Sequence, residues 1–145
     1  MAATTVPEQV QRWLTGRHQA VLVTVRADGS PQSSNVAFDL ADGVLRVSVT
    51  ADRAKTRNLR RDPRAVLHVL GDSFWQYAAV TVEAELAPVT TEAGDASGQE
   101  LLAVYEAITG SAHPDPTEFF AAMVAEQRLV LRLHPSTAVA QGLPD

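Results

Sequence analysis

The sequence predicts a single, mainly β domain with flanking helices, in which six short strands close a small antiparallel barrel. Three observations carry this reading. Apolar residues recur at every second position in separate runs, as at Val21, Val23 and Val25 or Val80, Val82, Ala84 and Leu86, the period of a half-buried strand. Asp-Gly pairs at 28–29 and 42–43 supply tight turns between such runs. The chain has 145 residues, enough for one real core but not for two, so residues 1–145 form one domain.

The elements follow in order. Residues 6–16 read as a short helix, with Pro7 near its first turn, an apolar stripe of Val10, Trp13 and Leu14, and Gly16 as its stop. A strand over 20–26 turns at Asp28-Gly29 and returns over 32–38; Asp42-Gly43 then leads into 44–50, giving a three-strand meander. Asp52 is placed to cap a helix that runs through the basic segment until Asp62-Pro63 ends it. Strands over 65–70 and 77–86 follow, then a loop over 88–98. Helices over 100–109 and 117–127, the second started by Asp115 and Glu118, precede a last strand at 129–133.

Composition excludes several classes. Hydrophobic residues make up 46% and charged residues 20% of the chain, the balance of a globular protein. No apolar run approaches the roughly 18 residues that cross a bilayer. The opening Met1-Ala2-Ala3-Thr4-Thr5-Val6-Pro7 lacks the basic start and apolar stretch of a secretory signal. With no cysteine, disulfides, thiolate metal sites and cysteine nucleophiles are absent, which fits a cytoplasmic address.

Charge is unevenly spread. The net charge is −5, yet residues 52–64 hold six basic side chains against Asp52 and Asp62, a local +4. The resulting field attracts anions. The acidic remainder opposes a polyanion, so a small phosphorylated or carboxylated ligand fits better than nucleic acid. Lys55 is the only lysine beside eleven arginines. Its compact ammonium differs from the flat arginine fork, and it lies in the densest basic run.

Three candidate regions carry chemistry. In the basic helix, Arg53 and Arg57 share a face, with Arg60 and Arg61 a turn further on, and the helix start offers free N–H groups. That describes a phosphate site or a solvated charged face. Pro31-Gln32-Ser33-Ser34-Asn35 places polar side chains on both faces of a strand, suited to a planar heterocycle or to a wet edge. Phe74-Trp75-Gln76-Tyr77 holds three of the eight aromatic residues; such a cluster walls a ligand, forms a dimer contact or plugs a barrel mouth. The four histidines, His18, His68, His113 and His134, have no zinc-site spacing. No dinucleotide, Walker or nucleophile-elbow motif is present. No set of acid, base and nucleophile emerges, so an enzyme here leans on a cofactor.

Asp28-Gly29-Ser30-Pro31-Gln32-Ser33-Ser34-Asn35-Val36, followed by Arg53-Ala54-Lys55-Thr56-Arg57-Asn58-Leu59-Arg60-Arg61-Asp62-Pro63-Arg64, resembles the FMN-binding split-barrel proteins. It is most similar to the actinobacterial, F420-dependent (deazaflavin) branch of the pyridoxamine 5'-phosphate oxidase-like class. The likeness extends through Arg132-Leu133-His134-Pro135-Ser136 and Gln141-Gly142-Leu143. It implies a six-stranded split barrel that forms a homodimer with two cofactor sites at the subunit interface.

By position, the resemblance implies that Arg53, Lys55 and Arg57, with Ala54 and Thr56 between them, hold the cofactor phosphate and nearby ring edge. Gln32, Ser34 and Asn35 would line the ring, with Ser48 and Thr50 on the adjoining strand. Trp75 and Tyr77 would come from the other subunit, and Arg128 would meet the acidic tail of the deazaflavin. The implied reaction is hydride transfer from reduced F420 to an electron-poor small molecule, whose pocket is expected in residues 72–77 and 88–98. The alternatives are an FMN-dependent oxidase or reductase, a non-catalytic carrier and, more remotely, a basic-helix nucleic-acid module. Pyridoxamine-phosphate oxidases continue into a segment bearing an Arg-x-His pair. Here Arg132-Leu133-His134 precedes the corresponding stretch, so the triplet is expected to be coincidental and the oxidase activity is not expected.

Overall fold

Alternation in the sequence becomes alternation in burial. The computed structural model describes residues 6–145; residues 1–5, part of the stretch read for a secretory signal, lie outside them. The first helix, α1 (Glu8–Leu14), buries Val10, Trp13 and Leu14. Strand β1 (Gln19–Val25) buries Ala20, Leu22 and Thr24 and pairs with β2 (Pro31–Ala37) across the Asp28-Gly29 turn. In that turn Asp28 Oδ1 accepts from the Ser30 N–H and hydroxyl, and Gly29 takes a φ of +88°.

A short strand, β3 (Asp39–Ala41), pairs with β4 (Val44–Thr50) across a turn in which Asp42 and Gly43 both have positive φ, 51° and 78°. These are the angles that a two-residue hairpin of right-handed twist needs. Helix α2 (Ala54–Arg61) leads to β5 (Arg64–Leu70) and β6 (Tyr77–Leu86). Helices α3 (Ala96–Thr109) and α4 (Pro116–Ala125) precede β7 (Arg128–Gln141). The seven strands form one antiparallel sheet in the order β2-β1-β5-β6-β7-β4-β3. The sheet curls into a half-barrel around Leu22, Phe38, Leu45, Leu67, Val80, Leu131 and Leu133, all fully buried. A second apolar cluster of Leu101, Val104, Phe119 and Val130 lies under α3 and α4. No helix among the described residues is long and apolar enough to cross a membrane.

The structure corrects five expectations. There are seven strands, not six: β3 has three residues, too few to show a period. The opening is not a three-strand meander, because the Asp42-Gly43 turn joins β4 to β3, while the other ladder of β4 is with β7. The last strand continues past 133 to Gln141. Val82 pairs with Pro135 and Thr81 with Thr137, so Ser136 forms a bulge where a proline is tolerated in a ladder. Finally, Asp52 does not cap α2. Arg53 occupies that position without a side-chain cap, and the turn closes instead by Arg53 N–H on the Thr50 carbonyl (3.3 Å). The predicted loop over 88–98 is also shorter, since α3 starts at Ala96 with Asp95 accepting from Gly98 N–H at 2.8 Å. The Asp115 start of α4 is as expected, accepting from Glu118 N–H.

A charged cluster ties the strands to α3. Asp39, 3% exposed, receives two hydrogen bonds from Arg46, at 3.1 and 2.7 Å. Arg132 bridges Glu100 and Glu85, and His134 meets Glu85 at 2.8 Å. The Arg132-Leu133-His134 triplet therefore has structural partners within one chain. Among the described residues, Asp39→Ala leaves the Arg46 guanidinium with Glu100 alone as an ion partner, 3.8 Å away. We expect a loss of about 3 kcal/mol in urea unfolding, near the low end for a broken buried pair; a loss below about 1 kcal/mol would place the pair in effective contact with water.

Asp95 accepts from the Thr90 hydroxyl and from the N–H groups of Thr91, Gly98 and Glu92, which hold its carboxyl well below the ordinary 3.8. A depressed carboxylate stabilises the fold above its unfolded pKa, and that contribution fades as pH falls below 3.8. Asp95→Asn should flatten the acid limb of stability against pH, while an unchanged limb would assign it to other carboxylates.

Candidate functional site

The site grows from the corner where β4 meets α2. The Thr56 hydroxyl, fully buried, donates to the Thr50 carbonyl at 2.8 Å. Asn58, also buried, donates to Thr24 Oγ1 at 3.0 Å. Thr24 in turn donates to Gln32 Oε1 at 2.7 Å. These bonds and Leu59 fix the inward face of α2, so the helix rotation follows from the sequence.

That rotation sorts the cations. Lys55 is half-buried; burial first, then repulsion from Arg53 and Arg128, pushes its ammonium below the ordinary 10.5. Arg128 lies opposite Thr50 in the β4–β7 ladder. It donates to Ser48 Oγ at 3.2 Å and pairs with Glu126 at 3.0 Å. Thus Ser48, Thr50, Arg53, Lys55 and Arg128 converge. Lys55 makes no ion pair among the described residues, and α2 has no acidic residue in its first turn.

Other expected site residues fall elsewhere. Arg57, two positions and so about 200° around the helix from Lys55, lines a separate hollow with Ala54, Arg26 and Arg61. Gln32 and Ser34 are half-buried on one face of β2, whereas Asn35 is exposed on the other, opposite Val21. Both ends of the Gln32 amide are engaged, the nitrogen donating to the Ser33 carbonyl at 3.0 Å. Trp75 is 67% exposed and edge-on to Phe74; Tyr77 stacks on His68 at 5.1 Å. They stand near the Leu70 end of β5, whereas α2 joins its Arg64 end, about 20 Å along the strand.

The fit to a phosphorylated, planar cofactor rests on polar groups that the chain leaves unmatched. Ser34 Oγ and Thr50 Oγ1 are buried without a hydrogen-bond partner, an arrangement that costs free energy unless another group satisfies them. Near Thr50, Lys55 is repelled by Arg53 and Arg128, and an anion would relieve that repulsion. The residues present fit such a group.

Sequence reasoning missed a neighbouring cavity. A cleft of about 500 Å³ lies between α3, α4 and the sheet, reaching Ser48 and Arg128. Its walls come from the helices rather than from residues 72–77 or 88–98. The only sequence signal was the apolar character of those helices, which looks the same whether it faces a core or a cavity.

A curled antiparallel half-barrel with a cation-flanked corner at one edge defines a split-barrel protein. The chain belongs to the pyridoxamine 5'-phosphate oxidase family, whose model matches residues 6–141. Among solved structures it is similar to an F420 reductase, with 26% identity over 92% of this chain and 98% of that one and a TM-score of 0.70. A conserved hypothetical protein of Mycobacterium tuberculosis matches 100% of this chain and 93% of its own, at 23% identity and TM-score 0.71. The heme storage protein HutZ of Vibrio cholerae matches at 17% identity, 95% and 96% coverage and TM-score 0.70. These last two likenesses are likenesses of fold.

The lone lysine makes the electrostatics measurable, because its side chain gives a single ammonium signal in a lysine-labelled sample. We expect Lys55 to titrate below 10.5 and to move up toward it in Arg53→Gln, with a smaller rise in Arg128→Gln. A signal at or above 10.5 in the wild type would mean that the cations do not converge.

Proposed function

We propose that the protein is an F420-dependent oxidoreductase that reduces an electron-poor small molecule. The single observation behind this reading is the half-buried Lys55, without a counter-ion among the described residues, between Arg53 and Arg128. The 26% identity to an F420 reductase over nearly the whole of both chains favours the deazaflavin branch over an FMN oxidase. Lys55 and Arg53 would hold the cofactor phosphate, with the free N–H groups at the start of α2 contributing. Arg128 would meet the acidic tail, and Ser48, Thr50 and Ser34 would satisfy polar edges of the ring. When bound, the reduced deazaflavin supplies the hydride, and a proton from water completes the two-electron reduction of the acceptor. The protein holds and orients the reactants in a positive field.

In this reading the working unit is a homodimer. Large apolar side chains stand exposed at one end of the sheet: Leu70 at 52%, Trp75 at 67% and Val139 at 67%. Such a patch is a common mark of an interface. A second copy would bring Trp75 and Tyr77 to the site that one chain leaves distant from them. The acidic surface outside α2 argues against nucleic acid, and a cytoplasmic setting suits a chain without cysteine.

The test is a titration of the purified protein with F420 and with FMN, followed by tryptophan fluorescence. We expect tight F420 binding, weakened about tenfold by Lys55→Arg, which keeps the charge but changes its shape. Tight FMN binding with no response to F420 would replace the deazaflavin reading. Cofactor binding with no acceptor reduced across a broad panel would make the protein a carrier.

A further inference from the structure

Apart from Ser48 and Arg128, the residues lining the cleft between α3 and α4 have no part in holding the proposed cofactor. The cleft is concave, about 500 Å³ in volume, within the range of small-molecule pockets. Leu101, Val104, Ile108, Phe119 and Met123 give it an apolar lining. At one rim stand Ser48 and Arg128, which also belong to the cation corner. The cleft therefore opens beside the place assigned to the cofactor.

One polar ring is held in this apolar wall. The His113 ring lies 5.0 Å from Tyr105 and 5.3 Å from Phe119, centroid to centroid. Its Nδ1 accepts from the Asp115 N–H at 3.0 Å, and its own backbone N–H donates to Glu106 Oε2 at 3.1 Å. A ring nitrogen that accepts carries no proton, so in the neutral ring the proton resides on Nε2. The half-buried ring that carries this donor lines the cleft. The two charged groups of the lining, Arg128 and Glu118, are opposite in sign. An uncharged occupant suits such a cleft better than an ion.

We propose that this cleft seats the hydride acceptor: an uncharged small molecule with an apolar, ring-containing body and a carbonyl oxygen that accepts from His113 Nε2–H. The assignment of the occupant as acceptor rests on the reductase reading; the cleft as a binding site does not. His113 acts here as a positioning and specificity residue.

The probe is prodan, a neutral naphthalene ketone with one carbonyl, whose emission reports both the polarity around it and hydrogen bonding to its oxygen. Full-length protein without cofactor is titrated with prodan, alongside Met123→Trp, which fills the cleft, and His113→Phe, which keeps the ring but removes the donor. We expect Met123→Trp to weaken binding about tenfold or more. His113→Phe should retain binding, with a several-fold loss and a blue-shifted emission. Glu8→Gln, exposed on α1 and outside the cleft lining, should match the wild type. The proposal is overturned if Met123→Trp, with an unaltered unfolding midpoint, binds prodan as the wild type does. It is equally overturned if Glu8→Gln abolishes binding, or if His113→Phe leaves both affinity and emission unchanged. F420 titration of the same proteins separates the two readings. Wild-type cofactor affinity in Met123→Trp supports separate seats, whereas wild-type protein that takes prodan but neither cofactor removes the acceptor assignment and the reductase reading while the cleft stands as a site.

Discussion

Asn58 donates to Thr24 inside the barrel, and that buried hydrogen bond determines where the cations of α2 point. An eight-residue helix is too short to hold its own rotation, so its orientation comes from tertiary contacts. The amide of Asn58 and the hydroxyl of Thr56 each need a buried partner, and each finds one on a strand end, at Thr24 and Thr50. With those two groups facing inward, Lys55 lies beside Arg53 and Arg128 while Arg57 joins Arg26 and Arg61 on the far side. A basic segment that reads as one patch in sequence is thus two patches in space.

Much of the fold was legible because its signals are local. Period-two alternation and Asp-Gly turns show β1, β2, β4, β5 and β6 without any knowledge of the rest. What failed was non-local or too short. The three residues of β3 carry no period. The continuation of β7 beyond Pro135 depends on a bulge at Ser136 that faces Thr81 and Val82 of another strand. The partner of β4 is β7, some 80 residues on, and no local pattern specifies that pairing.

The site divides along the same line. Lys55, Arg53 and the polar strand stand out by composition alone. The face that Asn35 takes, the separation of Arg57 from Lys55 and the distance to Trp75 each depend on how strands and helix are rotated. His113 has no ligand spacing in the sequence, and nothing there singles it out from the other histidines. Its environment, two aromatic rings and a backbone donor, is created by the turn between α3 and α4 and is invisible in a list of histidines.

The edges of the open sheet have a consequence for how the protein behaves at high concentration. A sheet that does not close presents two margins of unpaired backbone, and such margins recruit other chains into aggregates. Here one margin is β3, only three residues long. The other is β2, which begins with Pro31 and continues through Gln32, Ser33, Ser34 and Asn35, a strand poor in the β-branched and aromatic residues that feed cross-β growth. Replacing those polar side chains with valines would improve strand propensity on paper, but it would also turn a quiet border into a template for fibrils. The polar composition that marks this strand in the sequence also blunts the edge it forms.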